Sequence, residues 1–140
     1  MSKDRAALRP LPLADPASQP YWDACARREL RLQRCEACSE VRFPPQPQCP
    51  ACASPEATWQ PGIGLGSIAS FVVCHPPVLP AFAERTPYVV VLVELDDGPH
   101  LRMVGNLLEA DPNAVRIGQR VRLDWEELDE GVVLPQWRLD

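Results

Sequence analysis

The chain has 140 residues, 46% of them hydrophobic, so it is long enough to bury a core and wholesale disorder is excluded. Its longest apolar run, Tyr88 to Val93, is far shorter than the roughly eighteen residues of a membrane span, which predicts a soluble, cytoplasmic protein. Residues 1–58 carry a formal charge of +1 and residues 59–140 a charge of −6, so no basic surface for nucleic acid is indicated.

Residues 1–29 are predicted to form an N-terminal arm and a short helix. The arm is rich in proline and alanine, and residues 18–29 have the pattern of an amphipathic helix with Ser18 as its N-cap. Four residues fall on one side of this helix: Tyr21, Trp22, Cys25 and Ala26. The two aromatic side chains could anchor the core or dock on a partner protein, and the sequence leaves both interpretations open.

Residues 30–58 contain two C-x-x-C pairs separated by ten residues. The four cysteines are Cys35, Cys38, Cys49 and Cys52. Two such pairs across a short loop are typical of a structural zinc site, in which each pair forms a knuckle. Disulfides would need an oxidising compartment, and the N-terminus lacks the apolar segment of a secretory signal. A redox C-x-x-C would open a helix after a strand, whereas these pairs lie in proline-rich loops. We therefore predict one zinc ion in a β-ribbon.

Residues 59–140 are predicted to be almost entirely β-structure. The strand-like segments are 67–74, 88–95, 101–106, 121–125 and 132–139. Five strands at this spacing with almost no helix favour a small OB-fold barrel. The fold class is therefore mainly β, with a short helix, a zinc ribbon and a five-stranded barrel. Residues 75–87 form a long connection with four prolines, and long loops in compact domains are often functional.

A set of residues along nearly the whole chain resembles one known family. The set comprises Tyr21-Trp22, Leu30, the two C-x-x-C pairs, Phe43-Pro-Pro, Trp59, Gly62-x-Gly64, Pro87-Tyr88, Val93-Glu-Leu-x-x-Gly98 and Ile117-Gly118-x-x-Val121. Cysteine pairs alone would be unspecific, but their order and distances together resemble the rubredoxin-like zinc-ribbon plus OB-fold accessory proteins of acyl-CoA metabolism. That family was long described as a domain of unknown function.

The resemblance implies an accessory role. Members of the family assemble with thiolase-superfamily enzymes: thiolases, acyltransferases and the lipid-transfer-protein-like retro-aldolases of steroid side-chain degradation. The partner then holds the catalytic groups, and the accessory chain stabilises it and borders the path of the acyl-CoA thioester. Other relatives work with hotdog-fold enoyl-CoA hydratases, which leaves a second kind of partner open.

Contacts with the partner or with acyl-CoA are expected from the helix and from the 75–87 loop. The candidate residues are Tyr21, Trp22, Val78, Leu79, Phe82, Arg85 and Tyr88. Val78, Leu79 and Phe82 are apolar side chains that a monomer would not gain from exposing together. The alternative is that the loop is a lid folded over the core of the barrel.

No catalytic residue is predicted, so the chain is expected to have no turnover of its own. Cys74 and His75 are adjacent, but neighbouring residues of a strand point to opposite faces and would not readily meet. A free-standing acyl-CoA-binding protein is an alternative. The phosphates of CoA would need cations, however, and Arg85 is the only cationic residue near the loop in sequence. Single-stranded nucleic-acid binding on the aromatic residues is a weaker alternative, because the barrel half is acidic.

Overall fold

A computed structural model describes residues 9–128 and 131–140 of the protein. The first eight residues of the predicted arm therefore lie outside the described part. The helix and strands, in chain order, are α1 (Gln19–Ala26), β1 (Arg31–Cys35), β2 (Val41–Arg42), β3 (Ala57–Pro61), β4 (Leu65–Cys74), β5 (Tyr88–Leu95), β6 (Arg102–Leu107), β7 (Arg120–Glu127) and β8 (Val133–Leu139). The mainly β fold class with one short helix is confirmed.

The first three strands form a small antiparallel sheet in the order β2–β1–β3. All five residues of β1, from Arg31 to Cys35, pair with β3. Strand β3 itself extends across the domain boundary that was predicted after residue 58. The buried Gln33 side chain binds both backbone groups of Gln46, accepting from its N–H at 2.8 Å and donating to its carbonyl at 3.2 Å. These bonds hold the loop after β2 against β1, and that loop leads into the second cysteine pair.

The other five strands close into a barrel in the order β4–β5–β6–β8–β7, as the sequence predicted. β8 closes it by pairing antiparallel with β7 and, through Leu107 and Trp137, parallel with β6. Trp137 is fully buried, and its indole occupies the space where a side chain at Gly105 would lie. Because Gly105 has no Cβ, the largest ring of the core fits between β6 and β8.

Helix α1 is shorter than predicted and buries a different set of residues. Tyr21, Ala24 and Cys25 are buried, whereas Ala26 is exposed, so Ala26 does not share the buried side with Tyr21 and Cys25, with which it was grouped. Ser18 occupies the N-cap position, as predicted, but its hydroxyl forms no capping hydrogen bond with the helix. It accepts instead from the Asp15 backbone N–H at 3.0 Å, while the Ser18 N–H donates to the Asp15 carboxylate at 2.7 Å. The turn before the helix is therefore closed by a reciprocal pair.

One hydrophobic core joins the helix, the ribbon sheet and the barrel. Tyr21 and Cys25 of α1 and Leu32 of β1 belong to the same buried cluster as Val91 of β5 and Trp137 of β8. A shared core fixes the position of the metal-binding ribbon relative to the barrel. Within the described ranges, no helix has the length and apolar composition that crossing a membrane would require.

Candidate metal centre and partner surface

The two cysteine pairs come together at one end of the ribbon sheet. Their four sulfur atoms all lie within 4.8 Å of one another. The Sγ atoms of Cys35 and Cys52 are 3.5 Å apart, and those of Cys38 and Cys49 are 3.6 Å apart. A tetrahedral site with Zn–S bonds of about 2.3 Å has sulfur–sulfur edges of about 3.8 Å, whereas a disulfide bond is about 2.05 Å long. The geometry fits one structural zinc ion and no disulfide, which confirms the predicted cofactor.

Backbone N–H groups in the knuckles favour the thiolate form of the first cysteine in each pair. The N–H groups of Cys38 and Ala37 hydrogen-bond to the Cys35 sulfur and lower the pKa of that thiol to about 6. The N–H groups of Cys52 and Ala51 lower the pKa of Cys49 in the same way. Thiolates are the form that binds zinc, so these bonds favour metal binding by the first cysteine of each pair, whereas the pKa values of Cys38 and Cys52 are raised beside the other thiols.

The ligand set determines what the metal centre can do. Four thiolates fill a tetrahedral zinc site and leave no position for water or substrate, so the ion would stabilise the ribbon and would not activate a reactant. Cys35 and Cys49 are buried, whereas Cys38 and Cys52 are exposed, so the cluster lies at the surface of the protein. The centre is structural.

The two aromatic residues of the helix have different surroundings. Tyr21 is 4% exposed and makes edge contacts with the rings of Trp22 and Phe43 at centroid distances of 5.1 and 5.5 Å. Trp22 is half-buried and lines a groove of about 540 Å³ between α1, the segment after β2, and strands β6 and β8. Tyr21 is therefore a core residue, and only Trp22 offers a substantial surface to a partner.

The predicted 75–87 loop contains a 3₁₀ helix, Pro80–Arg85, that lies against the N-terminal arm. The Arg9 guanidinium carbon is 5.5 Å from the centre of the Phe82 ring, and the ring centres of Phe82 and Tyr88 are 6.0 Å apart. Arg9 and Arg85 both pair with the Glu126 carboxylate of β7, at 2.8 and 3.2 Å. The arm, the loop and the barrel are thus linked through one carboxylate.

These contacts divide the candidate loop residues into two groups. Phe82, Arg85 and Tyr88 line a cavity of about 220 Å³ with Arg9, and Phe82 is half-buried. Leu79 is 58% exposed, and Val78 is half-buried. Part of the loop therefore packs on its own molecule, against the arm and Tyr88 rather than over the core that the lid alternative expected, while Leu79 remains on the surface. Arg9 supplies a second cation beside Arg85 that the sequence had not indicated, because the two are far apart along the chain.

A pair of matched substitutions tests this division. We expect Phe82→Ser to lower the free energy of unfolding by about 1–2 kcal/mol, because it removes ring contacts with Arg9 and Tyr88 at a half-buried site. Leu79→Ser should change it by less than about 0.5 kcal/mol, since the side chain is mostly in water. Urea unfolding of both variants measures the difference. Equal stabilities would show that the loop packs differently.

Cys74 and His75 do not form a catalytic pair in this structure. Cys74 ends β4 directly opposite Tyr88 of β5, and His75 is exposed in the following loop. Between residues 9 and 128, no hydrogen bond joins the two side chains.

An exposed apolar surface of the barrel was missed by sequence reasoning. Val72 of β4 and Val104 of β6 are 57% and 61% exposed, and Val90 and Leu92 of β5 lie between them, half-buried. The signal was present in β5, which is apolar at seven of its eight positions although it belongs to a barrel with only one buried face. Strands that are apolar on both faces are usually covered on both.

Comparison with known proteins decides the family. The model of the rubredoxin-like zinc ribbon domain of ChsH2 matches residues 22–57, and that of the C-terminal OB-fold domain of ChsH2 matches residues 59–126. A DUF35 domain-containing scaffold protein of Methanothermobacter thermautotrophicus is 31% identical over 76% of this chain and 82% of its own length. The chain belongs to the DUF35 family of ChsH2-type proteins.

This DUF35 chain also resembles one chain of a solved structure and two further relatives. A chain of the "Ltp2-ChsH2(DUF35) aldolase" is 40% identical with a TM-score of 0.85, over 92% of this chain and 98% of that one. A probable enoyl-CoA hydratase alpha subunit of Thermomonospora curvata is 42% identical over 94% of this chain. The 3-oxo-4,17-pregnadiene-20-carboxyl-CoA hydratase alpha subunit of Mycobacterium tuberculosis is 37% identical over 96% of it. The DUF35 chain spans about two fifths of each hydratase subunit, 40% and 39%. These likenesses support an accessory subunit role.

Proposed function

We propose that this chain is a non-catalytic accessory subunit of a thiolase-superfamily enzyme and that it borders the path of the acyl-CoA thioester. The observation that carries the proposal is the likeness to the Ltp2-ChsH2(DUF35) aldolase, since almost all of that chain is matched at 40% identity. A retro-aldolase of the lipid-transfer-protein-like type is therefore the favoured partner. The steroid name of the Mycobacterium tuberculosis relative supports a bulky, steroid-derived acyl group.

The chemistry of the chain agrees with this division of labour. Its metal centre has four thiolate ligands and no open position, and among the described residues no hydrogen bond joins Cys74 to His75. The groups that cleave or form a carbon–carbon bond would then belong to the partner. The accessory chain would contribute a rigid body, because its helix, ribbon and barrel share one core. We place this assembly in the cytoplasm.

A second candidate is an accessory role in an enoyl-CoA hydratase. The two hydratase alpha subunits support it, because one of them, at 42%, is slightly more identical to this chain than the aldolase chain is. The matched region covers only about two fifths of those subunits, so their likeness says nothing about the remaining three fifths. The aldolase-type assembly is favoured because the match there extends over almost the whole of the other chain.

Co-expression tests the proposal. The tagged chain would be produced with the untagged product of the neighbouring gene, which we expect to be thiolase-like, and, separately, with the Ltp2 subunit. We expect a stoichiometric complex with at least one of them, higher soluble yield of the partner, and retro-aldol cleavage of a β-hydroxyacyl-CoA by the complex. The isolated chain should show no turnover. The proposal is wrong if the chain alone cleaves the β-hydroxyacyl-CoA, or if it binds neither protein. A complex with a hotdog-fold hydratase would then support the second candidate.

A further inference from the structure

The outer wall formed by β4, β5 and β6 presents a continuous apolar surface. Strand register places Ser70, Leu92 and Val104 in one row across the three strands. The adjacent row contains Val72, Val90 and the polar Asn106. The neighbouring residues Val89, Val91 and Val93 point inwards and are at most 2% exposed. The alternation of the strands therefore turns Val90 and Leu92 outwards, where they are half-buried, beside the exposed Val72 and Val104. We define these outward residues, Val72, Val90, Leu92 and Val104, as the apolar wall.

The apolar wall continues into the groove beside α1. Val104 belongs to both, because it lies on the outside of β6 and also lines the groove. On the other side of the groove are Trp22 and Phe43, with Leu134 at the start of β8. A partner surface could therefore contact the wall and insert a side chain into the adjoining groove, whose lining also includes Arg102. Such a combination of flat surface and central pocket is typical of protein interfaces.

Charge separates this surface from the rest of the barrel. At one end of the wall Glu94 pairs with Arg102, with 3.7 Å between their charged atoms, and Asp96, the residue after β5, pairs with Arg120 of β7. On β8, Arg138 pairs with both Asp124 of β7 and Glu109. The centres of interfaces are depleted in charged residues, and monomers rarely leave large apolar patches in water. The distribution of charge therefore favours the wall over the β7–β8 side as a surface for a folded, apolar partner.

We propose that the apolar wall and the groove beside Trp22 are the surface on which the thiolase-like subunit packs. This inference rests on the proposed accessory function and assigns a location to the contact. Trp22 would be the aromatic anchor at its centre, and Val72 and Val104 would mark its extent along the wall. A stable interface needs about 800 Å² from each partner, so the contact would have to combine the wall with the groove.

The test introduces a charge into the wall of the full-length chain. Val104→Asp and Val72→Asp would be co-expressed with the same two partner proteins, and binding of purified components would be measured by isothermal titration calorimetry. We expect each variant to bind at least tenfold more weakly than the unmodified chain, because an aspartate would be buried against an apolar partner. Zinc content and melting temperature should remain unchanged, since both valines are more than half exposed.

Ile117→Asp is the matched control. Ile117 is 68% exposed and lies in the loop before β7, where the next residue, Gly118, hydrogen-bonds to Ile68 of β4. The Ile117→Asp variant should bind the partner with an affinity within about twofold of that of the unmodified chain, since surface changes away from an interface have little effect.

The possible results separate this inference from the proposed function. If the unmodified chain binds no thiolase-like partner, the proposed function is wrong and the assigned surface falls with it. If the unmodified chain binds and both valine variants bind equally well, only the assigned surface is wrong. An equal loss of partner affinity in Ile117→Asp would also overturn the assigned surface, because the added negative charge would then weaken binding wherever it is placed. Conversion of a homodimer to a monomer by Val104→Asp, with partner binding intact, would assign the wall to a second copy.

Discussion

Replacing Cys49 with serine is expected to remove stoichiometric zinc and to unfold the ribbon. A structural zinc site contributes about 10–16 kcal/mol of binding free energy at pH 7, and much of this is folding free energy for the segment that holds the ligands. Cys49 is 2% exposed, and its sulfur lies 3.6 Å from that of Cys38, so a serine hydroxyl would be a poor ligand in a buried position. Because the ribbon shares its core with the barrel, the soluble yield of the whole chain should fall.

Metal analysis of the purified proteins measures this effect. The unmodified chain should contain one zinc ion, and Cys49→Ser less than about a tenth of that, with loss of the ribbon signals in an NMR spectrum. Cys25→Ser is the control, since Cys25 is buried in α1 and is not one of the four clustered cysteines. It should retain the metal even if it is somewhat destabilised. Full zinc content in Cys49→Ser would show that another residue completes the site.

Gly66→Ala is expected to destabilise the barrel by about 3 kcal/mol or more, although it adds a single methyl group. Gly66 pairs with Leu95 of β5 on one side and Val121 of β7 on the other. A Cβ at this position would lie 2.4 Å from the Glu94 carbonyl oxygen and 2.5 Å from a Val93 methyl carbon. The first of these is a backbone atom held in the sheet, so β4 would have to move away from β5 and break ladder hydrogen bonds.

Gly98→Ala provides the comparison. Its added carbon would have Leu101 Cδ1 as its nearest neighbour, at an ordinary contact distance of 3.5 Å. We expect a change of less than about 0.5 kcal/mol in the free energy of unfolding, measured by urea denaturation followed by tryptophan fluorescence. If the two alanine variants were equally stable, the close approach of β4 to β5 at Gly66 would be wrong.

The zinc ribbon could be predicted from the sequence because its determinants are local. Two C-x-x-C pairs at this spacing specify the knuckles, and alternation specifies the strands beside them. The buried side of α1 could not be chosen in the same way. Tyr21, Ala24 and Cys25 form one apolar stripe at helical spacing, and Trp22 with Ala26 forms another, so the periodicity fits both. Contacts with β1 and β8 determine which stripe is buried.

The parts of the surface that were not predicted depend on contacts between distant residues. Arg9 pairs with Glu126, 117 residues away, so its position next to the 75–87 loop is a consequence of barrel closure. The apolar wall was missed for a related reason. An unbroken apolar run such as β5 does not show which of its residues face the interior until the neighbouring strands and their register are known. Sequence reasoning identified the fold but could not identify this outer face.

The position of β8 in the barrel has a consequence for how the protein is made on the ribosome. β8 lies between β6 and β7, so both of these strands keep an unpaired edge until residues 133–139 have left the exit tunnel. The ribbon needs only residues 31–61 and could fold around its metal well before that. A nascent chain would thus carry a finished ribbon and an open, aggregation-prone sheet at the same time. Truncation before Trp137 should therefore yield insoluble protein rather than a smaller soluble domain.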